Sequence, residues 1–358
     1  MELSTLVRYL LTATTILIPA TLFVLQLRAR NNNASNKTSP PPPLPPPTTV
    51  ASLRIYPIKS CRGITVRSTR LLHTGLELDR QWMFVSAEDK KFLTIRQISK
   101  MTLIDTALQP LGDAIAADTQ LVISIRGADP PVAVAVPARP SQEHLAAHAT
   151  RSTAIIWGAA VEAWEYGPEL TGPISAFLGR DVRLVYKGGA TAPRRLRGNG
   201  APQVLGRTGS VGFADVLPVQ IASEASMADL NRRLKEAGED EMEIERFRPN
   251  IVVRGTEPWA EDTWKTVRIG GEGKGELVID VQAHCARCRV PNVDPNTGIE
   301  NKQQPWDTLM GYRRIDEGIK WKPCFGMICV PRNEGDIEVG MKLRVTETTN
   351  EHRYITGM

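Results

Sequence analysis

The 358-residue sequence holds only five cysteines, Cys61, Cys285, Cys288, Cys324 and Cys329. An odd number scattered over a chain this long excludes the stapled core of a small secreted domain, and the folded part reads as reduced and cytosolic. No long Lys/Arg block interleaved with aromatics occurs. The formal charge of +5 therefore points to a phosphate-bearing ligand, an acidic protein or an anionic membrane face rather than to nucleic acid. Also missing is a glycine-rich fingerprint that follows a strand and opens a helix, so direct binding of a nicotinamide dinucleotide is not expected. What is there has ordinary globular composition, 42% hydrophobic and 23% charged, in a chain long enough for two domains or one large one.

One uncharged run stands apart at the N-terminus, Tyr9 to Leu27. Its length is roughly the twenty residues a helix needs to span a bilayer. Pro19 and several threonines weaken it, although a membrane helix tolerates a proline. A cleaved signal peptide is the alternative, but the run is long for one and lacks a small-residue cleavage site. Residues 1–30 are thus read as a single transmembrane helix. Arg28, Arg30 and Lys37 beyond it leave the C-terminal bulk on the cytosolic side, with the outer mitochondrial membrane as the expected address. Residues 31–49, NNNASNKTSPPPPLPPPTT, form a proline-rich linker, either a stiff extended stalk or a ligand for a proline-binding domain.

Beyond the linker the sequence is β-rich. Short β-branched stretches at 51–58, 81–86, 92–98, 120–125, 132–136, 154–164 and 182–186 are separated by Gly, Pro and Asp turns, with a short helix expected at 175–178. Residues 188–210, rich in Gly, Pro and Arg, read as a loop and domain boundary. The remaining strands are expected at 216–221, 251–253, 266–269, 276–281, 326–330 and 342–346. The clearest helix is 226–237, with Ser226 as its cap, Met227, Leu230 and Leu234 on one face and Gly238 as its stop. This pattern fits a mostly β, α+β architecture better than alternating βαβ units. The expected organisation is an anchor (1–30), a linker (31–49), a β-rich domain (50–190) and a β-barrel domain (191–350).

The chemistry concentrates in Cys285-Ala286-Arg287-Cys288, followed by Val293-Asp294-Pro295-Asn296-Thr297-Gly298 and preceded by Arg248-Pro249-Asn250. A thiolate suits soft or high-valent metal centres, and an adjacent Arg favours the thiolate over the thiol. Cys288 is the leading metal-bound candidate, with Cys285 as a structural neighbour. Two other readings of the cysteines exist. Together with Cys324 and Cys329 they have the number for a zinc knuckle, but Phe325 to Ile328 reads as strand. A thioredoxin-type pair wants to open a helix, whereas Pro291 and Asp294-Pro295 indicate a turn. His284 is taken as structural. The basic loop residues Arg194, Arg195, Arg197 and Arg207 are either solvated or a docking point for an acidic electron donor.

Several motifs occur in order: Lys59-Ser60-Cys61 after Tyr56-Pro57, Asp79-Arg80-Gln81-Trp82, Phe213-Ala214-Asp215, Ser223-Glu224-Ala225-Ser226, Arg248-Pro249-Asn250, and Cys285 through Gly298. In this order they resemble the signature of the MOSC family, and within it the membrane-anchored amidoxime-reducing branch, from Val50 to Thr346. The resemblance implies a molybdenum cofactor held between a MOSC N-terminal β-rich domain and a MOSC β-barrel. It implies Cys288 as the protein ligand to molybdenum, and Lys59, Ser60, Arg80, Arg248, Asn250 and Arg287 as cofactor contacts. Charge-assisted donors of this kind suit a phosphate monoester and an anionic metal centre. It further implies reduction of N-hydroxylated compounds, amidoximes, hydroxylamines and N-oxides, with electrons from cytochrome b5 and its NADH-dependent reductase. A non-catalytic cofactor carrier is the alternative, and a membrane-tethered zinc scaffold a third. The chain departs from the pattern at Leu217, where relatives have a hydroxyl residue, and at Ile328, often a tyrosine. Glu257 matches an acidic position near the pocket, and its bland reading is a solvated loop carboxylate. The chain is too short to carry a pyridoxal-phosphate domain ahead of the barrel.

Overall fold

A computed structural model describes residues 40–110, 115–188, 191–271 and 275–356. The expected anchor, and residues 31–39 of the expected linker, lie outside the described residues. Among the described residues no helix is long and apolar enough to cross a membrane. Residues Pro43–Met358 form one compact unit.

Eight strands make the principal sheet: β1 (Thr48–Ile55), β2 (Ile64–Val66), β3 (Val219–Ser223), β4 (Ile251–Val253), β5 (Trp264–Ile269), β6 (Leu277–Ala286), β7 (Cys324–Pro331) and β8 (Lys342–Thr348). Their order is β4-β3-β7-β6-β5-β8-β1-β2, and β4 also pairs with β1, which closes seven strands into a barrel with β2 outside the ring. Closure removes the open edges that an exposed sheet must otherwise protect. All these pairings are antiparallel except β3 with β4, where Ile221 faces Ile251 and Ser223 faces Val253. A parallel pair needs a crossover, and the helix Glu224–Glu236 supplies it. The barrel interior is filled by Leu53, Ile55, Ile221, Ile251, Val267, Ile279 and Leu343, each almost wholly buried. Burying such a side chain contributes about 1.5–3 kcal/mol.

The rest of the chain packs as smaller antiparallel sheets. One has four strands in the order Trp82–Ser86, Val182–Tyr186, Ala159–Tyr166, Ala149–Ile156, and another joins Ile104–Gln109, Gln120–Ile125 and Ala133–Pro137. The architecture is mostly β, as the strand pattern indicates. β1 and β2 belong to the same sheet as the strands from 219 to 348, so the barrel draws on both ends of the chain.

Several local expectations are corrected. Residues 92–98 form turns, with only Phe92 bridging to Val85. Residues 154–164 are a hairpin: Ala159 pairs with Ile156, and Trp157 and Gly158 turn the chain with φ of 50° and 76°. Two successive positive φ values are what a tight hairpin of this twist requires. The helix near 175 begins at Pro168. The 188–210 segment contains a two-residue pair, Arg194–Arg195 with Ser210–Val211, and a short helix Pro202–Leu205. β3 begins only at Val219, after Pro218. The crossover helix is capped by Ser223, whose Oγ accepts from the amides of Ala225 and Ser226 at 3.1 and 3.4 Å; Ser226 is already inside the helix.

Candidate active site

Where β6 runs out at Ala286, the chain enters a short coil holding Arg287 and Cys288, then a 3-10 turn, Val290–Asn292. Asp294 ties the following turn: its Oδ1 accepts from the amides of Asn296 and Thr297 at 2.7 and 3.2 Å, and Gly298 closes it at φ 69°. Beside this coil lies a cavity of about 190 Å³. Lys59, Ser60, Arg80, Arg248, Asn250, Arg287 and Cys288 all line it. Every residue singled out for the metal or the cofactor is therefore brought to one place.

Each is delivered by a different element. Lys59 follows β1, where its amide donates to the Trp82 carbonyl at 2.8 Å. Its ammonium donates to the Phe213 carbonyl at 2.8 Å and to Asp215 Oδ1 at 2.5 Å. Burial pushes the Lys59 pKa down, partly offset by Asp215. Asp215 has a half-exposed side chain; the desolvation it meets at the cavity raises its pKa, yet the Lys59 ammonium and the Trp157 N–H, at 2.9 Å, hold it at about 2.

Arg80 donates to Asp79 at 2.6 Å, to Asn250 Oδ1 at 3.2 Å and to the Arg248 carbonyl at 3.3 Å. Gly212 is required beside it, because a Cβ there would sit 2.7 Å from the Arg80 carbonyl. Arg248 follows the 3-10 turn Ile244–Phe247, and its Nη2 is buried without a partner among the described residues. Burial, and then the neighbouring Arg80, lower its pKa. Arg287 donates to Phe247 O at 2.9 Å, Gln220 Oε1 at 3.2 Å and Cys285 Sγ at 3.0 Å, while its Nε has no partner among the described residues. Asn250 bridges the barrel. Its Oδ1 also accepts from the Gln220 amide at 3.1 Å and its Nδ2 donates to Arg54 O at 3.3 Å.

Among the described residues, four of the seven non-glycine residues with positive φ line this cavity: Ser60, Arg80, Trp157 and Arg248. Such conformations cost on the order of 1 kcal/mol each and gather at functional sites. The cavity lining carries six cationic side chains, with Arg96 and Lys322 added to the four above, against a single carboxylate, Asp215. A buried excess of guanidinium donors, two of them with unmatched N–H groups, suits an anionic ligand. The half-buried Cys288 thiol beside it supplies the soft ligand.

Other expectations sort out as follows. Cys285 lines the cavity and takes a hydrogen bond from Arg287, while Cys324 is buried. Among the described residues no three His, Cys, Asp or Glu side chains are grouped to hold a metal, so the four cysteines do not assemble a zinc knuckle. His284 is buried against Asp316 at 2.8 Å, a structural pairing. Glu257 is exposed and does not line the cavity. Of the basic loop, Arg194 is engaged by the carbonyls of Gly212, Ala214 and Asp215, and Arg207 by Asp280, Val330 and Pro331; Arg195 and Arg197 are exposed. The cavity also takes in Trp157, Gln220 and Tyr354, which no sequence motif marked. Leu217 and Ile328 line it too, as apolar surface.

A seven-stranded barrel with a thiol and a cationic cavity at the end of one strand agrees with the class that family models give. Residues 208–344 match the MOSC domain and residues 47–180 match the MOSC N-terminal beta barrel domain. Mitochondrial amidoxime reducing component 2 of Rattus norvegicus is 31% identical over 82% of this chain and 81% of its own length. Mitochondrial amidoxime-reducing component 1 of Homo sapiens is 32% identical over the same shares. The molybdenum cofactor sulfurase of Arabidopsis thaliana is 30% identical over 77% of this chain but only 32% of its own length. The chain belongs to the MOSC family that includes the mitochondrial amidoxime-reducing components.

Proposed function

We propose that this protein is a molybdenum cofactor-dependent reductase of N-hydroxylated compounds, such as amidoximes, hydroxylamines and N-oxides. The observation that carries the reading is the convergence of Cys288 with Lys59, Arg80, Arg248 and Arg287 on one cavity. The cofactor would be held there by Cys288 at the metal and by the cations at its phosphate and metal-oxo charge, with Ser60 and Asn250 as neutral partners. Bound in this way, it supplies the two-electron chemistry that removes oxygen from nitrogen.

The chain's own work is electrostatic and positional. Lys59 is anchored by Asp215 and Phe213, so its charge is fixed before a ligand arrives. Arg287 is held against Phe247 and Cys285, which orients the coil that presents Cys288. Arg248 keeps unmatched donors available, so a bound anion gains hydrogen bonds that no protein group must first release. The half-enclosed cavity limits water at the reacting group.

With no dinucleotide fingerprint, electrons enter from a protein donor. By family likeness that donor is cytochrome b5 with its NADH-dependent reductase. The uncharged run Tyr9–Leu27 and the proline-rich linker support tethering on the same membrane, the outer mitochondrial one in this reading, where confinement raises the effective concentration of a weak partner.

The test is metal and pterin content of the full chain, expressed in a host that makes molybdenum cofactor, beside Cys288→Ala. Near-stoichiometric molybdenum, lost or altered in the variant, with amidoxime reduction when a cytochrome donor is supplied, is the expected result. Bound cofactor without turnover would favour a carrier. Zinc without pterin would overturn both.

A further inference from the structure

The residues beyond β8 fold back onto the barrel. The Asn199 side chain clamps them from both sides: its Nδ2 donates to the Arg353 carbonyl at 2.8 Å and its Oδ1 accepts from the Ile355 amide at 2.7 Å. Between these two bonds lies Tyr354, whose own amide donates to Asp316 Oδ1 at 2.8 Å. His352 Nε2 pairs with the Trp264 carbonyl at 2.7 Å. The fit is close enough that a Cβ on Gly318 would sit 2.0 Å from the Tyr354 carbonyl. Three backbone groups around one side chain are thus fixed by buried partners, since Asn199 and Asp316 are 2% and 1% exposed. This amount of fastening around one side chain, in a segment past the end of the matched domain at residue 344, calls for an explanation.

The side chain so placed lines the cavity. It belongs to the buried apolar cluster that includes Leu217, Ile319 and Ile328, and among the described residues no hydrogen bond engages its hydroxyl. Burial, then the charges of Cys285 and Asp215, push its pKa up to about 12, so it stands as a neutral phenol in the lining that it shares with those two residues. The cavity lining therefore has two unlike parts. One carries the cations that suit the anionic cofactor. The other is apolar, Leu217 and Ile328, with one neutral donor.

We propose that Tyr354 is a substrate-binding residue: its hydroxyl donates a hydrogen bond to the oxygen of the N-hydroxylated substrate, and Asn199 is the positioning residue that holds it there. This rests on the reductase reading above. A neutral phenol on an apolar wall recognises an oxygen lone pair without adding charge. The deoxygenated product has no such oxygen, so the contact favours substrate over product and eases product release. A site built around a substrate hydroxyl discriminates strongly against the analogue lacking it, because its own polar group is then left unpaired.

The probes are an aryl amidoxime and the amidine that lacks its oxygen, titrated against the cofactor-loaded full chain by quenching of tryptophan fluorescence, Trp157 being in the cavity. Tyr354→Phe keeps the ring. It is expected to weaken the amidoxime about tenfold, leave the amidine within about twofold, and raise KM by the same factor with little change in kcat. Melting temperature and molybdenum content should stay as in the wild type. Asn199→Ala should lower the amidoxime-to-amidine affinity ratio in the same direction, which a merely structural role would not do. If Tyr354→Phe weakens both ligands alike, or neither, the assignment is overturned. Failure of the reductase reading is read separately, as absence of turnover by the wild type, while the ligand pair still reports on the hydroxyl.

Discussion

Arg80 and Arg248 stack on the same Tyr56 ring, with guanidinium carbons 4.5 and 4.2 Å from its centroid, yet the protein uses them differently. Arg80 neutralises Asp79, which is 3% exposed and whose pKa burial pushes up. Removing Arg80 leaves that carboxylate buried without its cation, a loss of about 3 kcal/mol or more. Arg248 offers its Nη2 to no protein group, and its charge is disfavoured by burial and by Arg80. Arg248→Met should therefore melt within about 1 kcal/mol of wild type in urea but retain at least tenfold less molybdenum cofactor, whereas Arg80→Met should lose both stability and cofactor. Equal destabilisation of the two variants would make Arg248 a structural residue. The ordered motifs put both arginines in the site and set Asp79 beside Arg80, but the bond from Arg80 to Asn250, which spans 170 residues of sequence, is not legible in them. Tyr354 was invisible for the same reason: its placement depends on Asn199 and Asp316, far away in the chain.

At the scale of elements, helices and strands were legible where local patterning decides them. Val182–Tyr186 and Ile251–Val253 fall on the expected residues, and the crossover helix buries Met227, Leu230 and Leu234 as its apolar spacing requires. Its start was misread because two serines stand three residues apart, and either satisfies a capping pattern. Ser223, in extended conformation at the end of β3, is the cap, while Ser226 Oγ donates to Glu261 at 2.9 Å and accepts from the Trp259 amide at 2.8 Å. Ser223→Ala should cost about 1 kcal/mol, the worth of an N-cap. Ser226→Ala should cost more, since it strips the hydrogen-bond donor from a wholly buried carboxyl group. Equilibrium urea melts of the two variants give the order directly, and a larger loss at Ser223 would contradict the assignment. The stretch 92–98 failed as a strand for the converse reason. Its apolar residues face the core from turns, and period alone does not distinguish the two.

Barrel closure depends on pairings no local pattern specifies. β1 meets β4 through Leu53 and Ile251 and meets β8 through Thr49 and Lys342, separations of about two and three hundred residues. The same long-range packing buries a titratable group away from the cavity. Glu261 is 0% exposed, its Oε1 has no partner among the described residues, and burial, then the adjacent Asp262, raise its pKa to about 7 from an ordinary value near 4.5. The folded state therefore keeps this proton between about pH 4.5 and 7, where the unfolded chain has already released it. Stability from this group is fully present below the lower value and falls as pH rises through the upper one. At about 1.4 kcal/mol per pH unit, the loss is on the order of 3 kcal/mol. Glu261→Gln keeps the shape and removes the proton exchange, so its unfolding free energy, measured in urea at pH 5 and pH 8, should fall less between those pH values than that of the wild type. Titrating groups that do not interact with Glu261 are common to both proteins and cancel in the comparison, which leaves Glu261 and its neighbour Asp262. Parallel curves would mean that Glu261 ionises in the fold as readily as in the open chain, so that water reaches its side chain in the folded protein.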